Sequence, residues 1–431
     1  MTWKLTPDQQ EASNKFLGFL LSNETEFYLF GAAGCGKTFL IQHFVSEVLK
    51  KDYKNLCALL GIPQKNYMVA LTATTNKAVQ ILQKDFPAEY VNTIFKEFDV
   101  VVQEDYKTGK VNLKKYFSHE PVQGKLIFID ECSMLSKQML EIIRKYSDNC
   151  KIVFIGDNYQ LAPVNEKAYW NSTPEHLTAT LSTPVRNNKN EFLMSLCAQL
   201  RETVDTKEFK PIRLVPGSVE HLNTEEATEY LKNKFNKDTA RILCYTNEKS
   251  QQYIDFLKKE YGIPHEFEEG KKYINTRNCT NHTGYIHFYA EEPVQITQLD
   301  SSPIYAEIEK GYCLHILHGS AKSLSCNKEM LIEIPADLQE YKKLKDRAKK
   351  EKNWKVFFYL QNRMIDLRLP YATTVHKSQG STYDEVLIDL DSFKSCWDKD
   401  VAARLLYVAV SRAKNKVMFY GTLPKRYGEL V

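Results

Sequence analysis

The sequence predicts an α/β protein with parallel sheets, and three stretches carry that prediction. Residues 27–30 (FYLF) are apolar throughout and run into residues 31–38 (GAAGCGKT), after which Phe39, Leu40 and Ile41 open a helical pattern. Residues 126–129 (LIFI) are again continuously apolar and end in Asp130 and Glu131. Residues 240–245 (ARILCY), followed by a helical pattern over 250–261, repeat the strand-then-helix order in the second half of the chain. A strand that is apolar on both faces suits a parallel sheet covered by helices, and such sheets bind ligands beyond the carboxyl ends of their strands.

Composition limits the function classes. The chain has 431 residues, 43% hydrophobic and 26% charged, a soluble globular make-up with length for two to four domains. The opening MTWKLTPDQQ is polar, and no apolar run approaches the ~20 residues of a membrane helix. No membrane partner and a cytoplasmic site, in a bacterium or a phage-infected host, are therefore expected. The ten cysteines stand singly, without a CxxC pair or zinc-site spacing, which fits a reducing compartment. A net charge of +4 is too small to argue for nucleic acid without local clustering.

Taken in order, residues 5–21 (LTPDQQEASNKFLGFLL) read as a helix with Thr6 as N-cap, Pro7 at its first position and Phe16, Leu17, Phe19, Leu20 and Leu21 on its buried side. Gln9 and Gln10 read from the residues alone as helix surface. Residues 31–38 then spell GxxxxGKT between a strand and a helix, the context of a phosphate-binding loop. Backbone N–H groups of Gly31, Ala32, Ala33, Gly34, Cys35 and Gly36 would converge on phosphates, Lys37 would reach the β and γ phosphates, and the Thr38 hydroxyl would sit on Mg²⁺. An ATP or GTP site follows. Cys35 and Cys132 lie inside these motifs as small fillers.

The helix is expected over residues 39–49, with a polar stretch through Gln64 and Lys65 before a strand at 67–71 that ends in residues 72–77 (TATTNK). Hydroxyl and amide side chains there suit either a nucleic-acid backbone or a plain strand-to-helix cap. Residues 98–116 read as a hairpin about Lys107-Thr108-Gly109-Lys110, with Tyr106, Val111 and Leu113 as candidate tip residues. Asp130 can hold Mg²⁺ and Glu131 can orient and deprotonate the attacking water. The strand at 151–155 ends in GDNYQLAPV, which sets Gln160 near a γ-phosphate. A second half begins near Arg186, and Thr246-Asn247 caps its first helix. Residues 269–367 read as a mostly β insertion. Within it residues 341–355 carry eight Lys or Arg against two acids, a basic helix that is either a solvated face or a nucleic-acid contact. Thr374, His376, Lys377 and Gln379 form a polar group near the end.

The ordered motifs LTPDQ, GAAGCGKT, ATTNKA, DECSM, GDNYQLAPV, LSTPVR, TTVHKSQGST and LLYVAVSRAK span Leu5 to Lys414 and resemble the superfamily 1B helicases, the RecD-like and Dda-like group. That resemblance implies two RecA-like P-loop NTPase domains, one over 1–92 and 121–185 and the other over 186–268 and 368–431. It also implies a strand-separating pin over 93–120 and an SH3-like insertion over 269–367. It makes Gln9 the adenine reader, Lys37, Glu131, Gln160, Arg186 and Arg412 catalytic, the last two as arginine fingers, and adds Gly380 to the nucleotide site. For single-stranded DNA it points to Thr75, Asn76, Thr93, Phe95, Thr246, Asn247, Thr374, His376 and Lys377. Phe95 stands where relatives often have histidine, and Thr74 where they have proline. The activity implied is ATP- and Mg²⁺-dependent unwinding of DNA with 5′ to 3′ movement. Single-stranded and junction DNA, and single-strand-binding or replication proteins, are the implied partners of a monomer. A translocase that does not separate strands, and a nucleotide-gated remodelling factor, are the alternatives.

Overall fold

The computed structural model describes residues 3–32, 34–116, 120–163, 173–183, 190–236, 238–263 and 267–431. Two parallel sheets and one antiparallel sheet organise them. The first sheet runs in the order Thr178–Leu181, Glu26–Gly31, Lys151–Gly156, Lys125–Ile129, Met68–Ala73, Val91–Thr93, and every pairing is parallel. Its central strands are buried along nearly their whole length, as the apolar runs predict. The helix Pro7–Leu21 packs on it through Ala12, Phe16, Phe19 and Leu20. This helix begins as expected: the Thr6 side chain accepts from the Gln9 backbone, the Gln9 side chain closes a capping box, and Pro7 occupies the first turn. Gln9 is buried, however, so the surface reading holds only for Gln10.

Lys151 closes the other end of that helix. Its ammonium donates to the Phe19, Ser22 and Glu24 carbonyls at 2.8, 2.8 and 2.6 Å, lies over the Phe19 ring, and burial pulls its pKa down to about 8. Lys151→Met would take the ammonium from the Ser22 and Glu24 carbonyls, while Phe19 O keeps Ser22 N and Ser22 Oγ, so a loss of about 1–3 kcal/mol is expected. A lowered thermal midpoint checks it; an unchanged one would show that water replaces the ammonium.

The helix after the phosphate loop runs to Leu60 rather than ending near Leu49, with Phe44–Asp52 wound in wider π-helical turns. The second sheet, also all parallel, has the order Val219–Leu222, Ala413–Tyr420, Tyr383–Asp389, Ala240–Cys244, Ala372–Thr374. Its helices Asn247–Glu260 and Lys399–Ser411 both begin on capping side chains, Thr246 and Asp398. The insertion forms an antiparallel sheet around the long strand Tyr312–Ser323, with the helices Leu338–Lys350 and Trp354–Phe358 beside it.

Residues 100–104 and 111–115 pair as a two-stranded hairpin. Its turn is closed by Asp105, whose carboxylate accepts from the Lys107 and Thr108 backbones and the Thr108 hydroxyl. Tyr106 therefore sits in the turn, while Val111 and Leu113 lie on the returning strand and are not tip residues. The hairpin leans on the insertion: Val102 N donates to Gly284 O at 3.0 Å, Tyr285 OH to Asp99 at 2.7 Å, and Glu104 pairs with Arg363 at 3.3 Å.

Candidate nucleotide and nucleic-acid site

The loop after strand Glu26–Gly31 is shaped by backbone that only glycine adopts freely. Gly34 and Gly36 have φ of 86° and 81°, and a Cβ on Gly31 would lie 2.5 Å from Cys35 Sγ. Cys35 and Cys132 are indeed fillers, the latter with its sulfur 2.8 Å from where a Gly156 Cβ would stand. Gly36 caps the helix that starts at Lys37, so the first N–H groups of that helix face the loop. The Lys37 ammonium folds back onto the Gly31 and Ala32 carbonyls at 2.6 and 3.2 Å. Burial opposes its charge, yet Cys35, Asp157, Glu131 and Asp130 around it hold its pKa above the ordinary value. Thr38 follows on the same turn. Gln9 donates to the Cys35 carbonyl at 3.3 Å, tying the first helix to this loop.

Asp130 and Glu131 stand where strand Lys125–Ile129 ends, next to the loop in the sheet order set by Lys151–Gly156 between them. Glu131 takes a left-handed backbone, φ 52°, and its N–H donates to Asp130 at 2.9 Å. Burial, and then the Asp130 charge, push the Glu131 carboxyl up to about 7 against the pull of Lys37 and Arg412. Burial likewise raises Asp130.

The second sheet meets this site directly. A Cβ on Gly380 would be 3.9 Å from Glu131 Oε1. Arg412 is buried at the end of helix Lys399–Ser411, its guanidinium donating to Ser381 O at 3.1 Å and to Ser411 Oγ at 2.9 Å. Gln160 accepts from Gln379 Nε2 at 3.3 Å, Arg404 donates to Gln160 O at 3.0 Å, and Tyr407 OH donates to the buried Asp157 at 2.6 Å. Of the residues expected in the nucleotide site, Ala33 and Arg186 lie outside the described residues.

On the strand side, a cavity of about 230 Å³ is lined by Thr75, Lys77, His376 and Lys377 and reaches Glu131, Gln379 and Gly380. Thr75 caps its helix by accepting from Ala78 N, and Thr374 accepts from Lys377 N. Burial lowers the His376 pKa. Lys377 lies 3.8 Å from Glu291. Thr246 and Asn247 sit at the start of their helix, and Asn247 lines a small adjoining pocket with Lys77, Arg241 and Lys377. Asn76 and Thr93 are instead engaged by the insertion: Asn76 donates to Glu292 at 3.2 Å, and Thr93 accepts from Tyr289 OH at 3.1 Å. Phe95 meets the same Tyr289 ring edge-on at 6.0 Å.

Sequence reasoning gave no role to Lys77, whose ammonium donates to Ser381 Oγ at 2.7 Å across the two units, nor to Arg404, Asp157, Glu291 and Glu292. Lys77 and Asp157 stand inside quoted motifs, and Arg404 is a cation within the otherwise apolar run 401–410; that much signal was present. Glu291 and Glu292 had none.

The AAA domain family matches residues 18–166 and the UvrD-like helicase C-terminal domain family residues 369–420. The chain is 25% identical to the ATP-dependent DNA helicase Pif1 of Campylobacter jejuni over 93% of this chain and 90% of that one. It is 21% identical to the RecBCD enzyme subunit RecD of Buchnera aphidicola, over 96% and 73%, and 23% identical to the uncharacterized protein R530 of Acanthamoeba polyphaga mimivirus, over 95% and 98%. Its fold is that of Pif1 helicase from Bacteroides solved with ADP-AlF3 and ssDNA, at a TM-score of 0.51 and 17% identity over 99% of this chain and 95% of that one. Two parallel-sheet units meeting at a phosphate loop, the matches to both domain families and alignments to RecD and Pif1 proteins along more than nine-tenths of this chain together support a superfamily 1B helicase of the RecD/Pif1-like kind.

Proposed function

We propose that this ATP-dependent DNA helicase moves 5′ to 3′ on single-stranded DNA and parts the duplex on its hairpin. The observation that carries the reading is that Glu131 and Gly380, which meet across the two units, line the same cavity as Thr75, Lys77 and His376. A change at the nucleotide is thereby a change in the walls of the strand groove, and opening and closing of this cleft converts turnover into steps.

Within that reading Lys37 binds the β and γ phosphates, Glu131 takes the proton of the attacking water, and Gln160 senses the γ-phosphate. Arg412, with Arg186, neutralises charge as the phosphoryl group transfers. Gln9 contacts the adenine. Asp130 and the Thr38 hydroxyl are hard oxygen donors of the kind Mg²⁺ takes, with its other positions left to water and phosphate, and the ion would neutralise phosphate charge when bound. Thr75, Asn247, Thr374, His376 and Lys377 line the groove for the strand. Asn76, Thr93 and Phe95 reach the strand after their partners in the insertion give way.

ATP-dependent strand separation on duplexes with a 5′ or a 3′ single-stranded tail tests this. Unwinding from the 5′ tail alone is expected; unwinding only from the 3′ tail would overturn the polarity, and DNA-stimulated ATPase without unwinding would favour a translocase.

The pin reading has its own test. A Cβ on Gly109 would lie 2.6 Å from the Trp354 ring, and Tyr106 meets Phe358 at 6.0 Å, so the hairpin turn rests on the insertion's aromatics. Trp354→Ala is expected to slow unwinding by about tenfold, the effect of losing a ~1.4 kcal/mol brace at the junction, with ATPase on single strands unchanged. Equal losses in both assays would show a general folding defect instead.

A further inference from the structure

We propose that the lysine-rich face of helix Leu338–Lys350, continued by Lys352 and the hairpin turn, is a binding surface for the phosphate backbone of the duplex ahead of the junction. This rests on the helicase reading, because it takes the hairpin turn as the point where strands part.

The helix is anchored on one side only. Tyr341, Leu344 and Ala348 are buried against Tyr312, Leu314 and Ile316 of the insertion sheet. The opposite side presents Lys342, Lys343, Lys349 and Lys350, all exposed, and Lys352 follows them. Arg347 is taken by Glu351 at 3.0 Å and Lys355 lies 3.7 Å from Glu309, but none of those five lysines forms an ion pair among the described residues. Lys345 turns inward over the Tyr341 and Phe357 rings, and burial, then the Arg277 charge, lowers its pKa. Like charges stacked one turn apart oppose the helix. In a chain of net charge only +4, eight cations against two acids in fifteen residues is a local excess that packing does not require.

The hairpin turn joins this face. Gly109 is left-handed, φ 70°, and rests against the Trp354 ring, so the turn that carries Lys107 and Lys110 meets the segment that carries Lys352. Lys107, Lys110 and Lys114 are exposed. The two acids at the turn are already used: Glu104 holds Arg363 and Asn362, and Asp105 closes the turn. What remains outward is positive on both sides of the contact, with Asp346 the one exposed acid among the helix lysines.

Chemistry and reach select a duplex. A helix rises ~1.5 Å per residue, and B-DNA carries one negative charge per ~1.7 Å of its axis, so a row from Lys342 to Lys352 tracks a run of phosphates. Lysines act as point charges on phosphate and read no sequence, which an advancing junction requires.

The test compares the full chain with Lys349→Ala/Lys350→Ala/Lys352→Ala, and with a control of equal charge change, Lys50→Ala/Lys54→Ala/Lys65→Ala, three exposed lysines of the first unit. Binding is read by anisotropy across a salt series on a 5′-tailed duplex closed by a far-end hairpin loop, on the tail alone, and on the same duplex with an added 3′ tail. The wild type is expected to bind the tailed duplex more tightly than the tail. The triple variant should lose that advantage, with a log K against log salt slope shallower by about two to three, while tail binding and tail-stimulated ATPase stay as in the control. Equal weakening on tail and duplex, or none on either, would overturn the proposal. Loss confined to the substrate with the 3′ tail would move the surface to the displaced strand and overturn the duplex assignment. A wild type without a duplex advantage would also overturn it, even with unwinding and tail-stimulated ATPase intact; absence of those two activities is the separate failure of the helicase reading.

Discussion

Glu131→Gln is expected to lower DNA-stimulated ATP turnover by about 10²–10⁴-fold, the range for loss of a positioned general base, with nucleotide affinity little changed. The exchange keeps the shape of a side chain that is half-buried in a left-handed turn beside Lys37, Asp130 and Gly380, so the packing that places it is retained. What it removes is a carboxylate that burial and Asp130 push up to about 7. A raised acid lets the folded state hold more protons than the unfolded one between the ordinary carboxyl value and about 7, so its ionisation takes stability away as pH rises through that window. The variant, which cannot ionise, should therefore melt no lower than the wild type at pH 8. Turnover within a few-fold of wild type would remove Glu131 from the base role; a melting point well below wild type would show that its charge is needed to hold the site together.

How far the sequence reached depended on the range of the interactions involved. Strands buried on both faces, the loop between a strand and a helix, and caps such as Thr6, Thr75 and Thr246 are decided by neighbours within a few residues, and these were legible. The helix after the phosphate loop was expected over 39–49, with a polar stretch beyond it; wider turns over Phe44–Asp52 carry it on until Tyr53 and Cys57 bury the next part of its face. Asn76 and Thr93 were read as groove residues, but their partners Glu292 and Tyr289 are some two hundred positions away, and no local pattern announces such a meeting. A longer separation, 304 positions, hid the bond from Lys77 to Ser381.

Arg412→Ala is expected to reduce ATP turnover by about 10³-fold or more, the lower end of what an arginine finger supplies, and Arg412→Lys should recover little of it. The side chain comes from the second sheet's helix, is almost fully buried, and is held by Ser381 O and Ser411 Oγ while its charge acts on Glu131 in the first unit. The guanidinium uses Nε, Nη1 and Nη2 for its bonds and still has an N–H on each terminal nitrogen to offer across the cleft, whereas a lysine ammonium is a single point that cannot do both. The alternative role is structural, since the same bonds tie the helix end to the segment carrying Gly380. The two roles part on measurement. A charge that acts only as the phosphoryl group transfers lowers kcat with KM for ATP nearly constant, and leaves single-strand affinity unchanged in the absence of nucleotide. A tie between helix and segment, once cut, shifts KM and strand binding together and is largely restored by lysine. Recovery of turnover in Arg412→Lys would therefore remove Arg412 from the chemistry and leave Arg186 as the remaining candidate for the transferring charge.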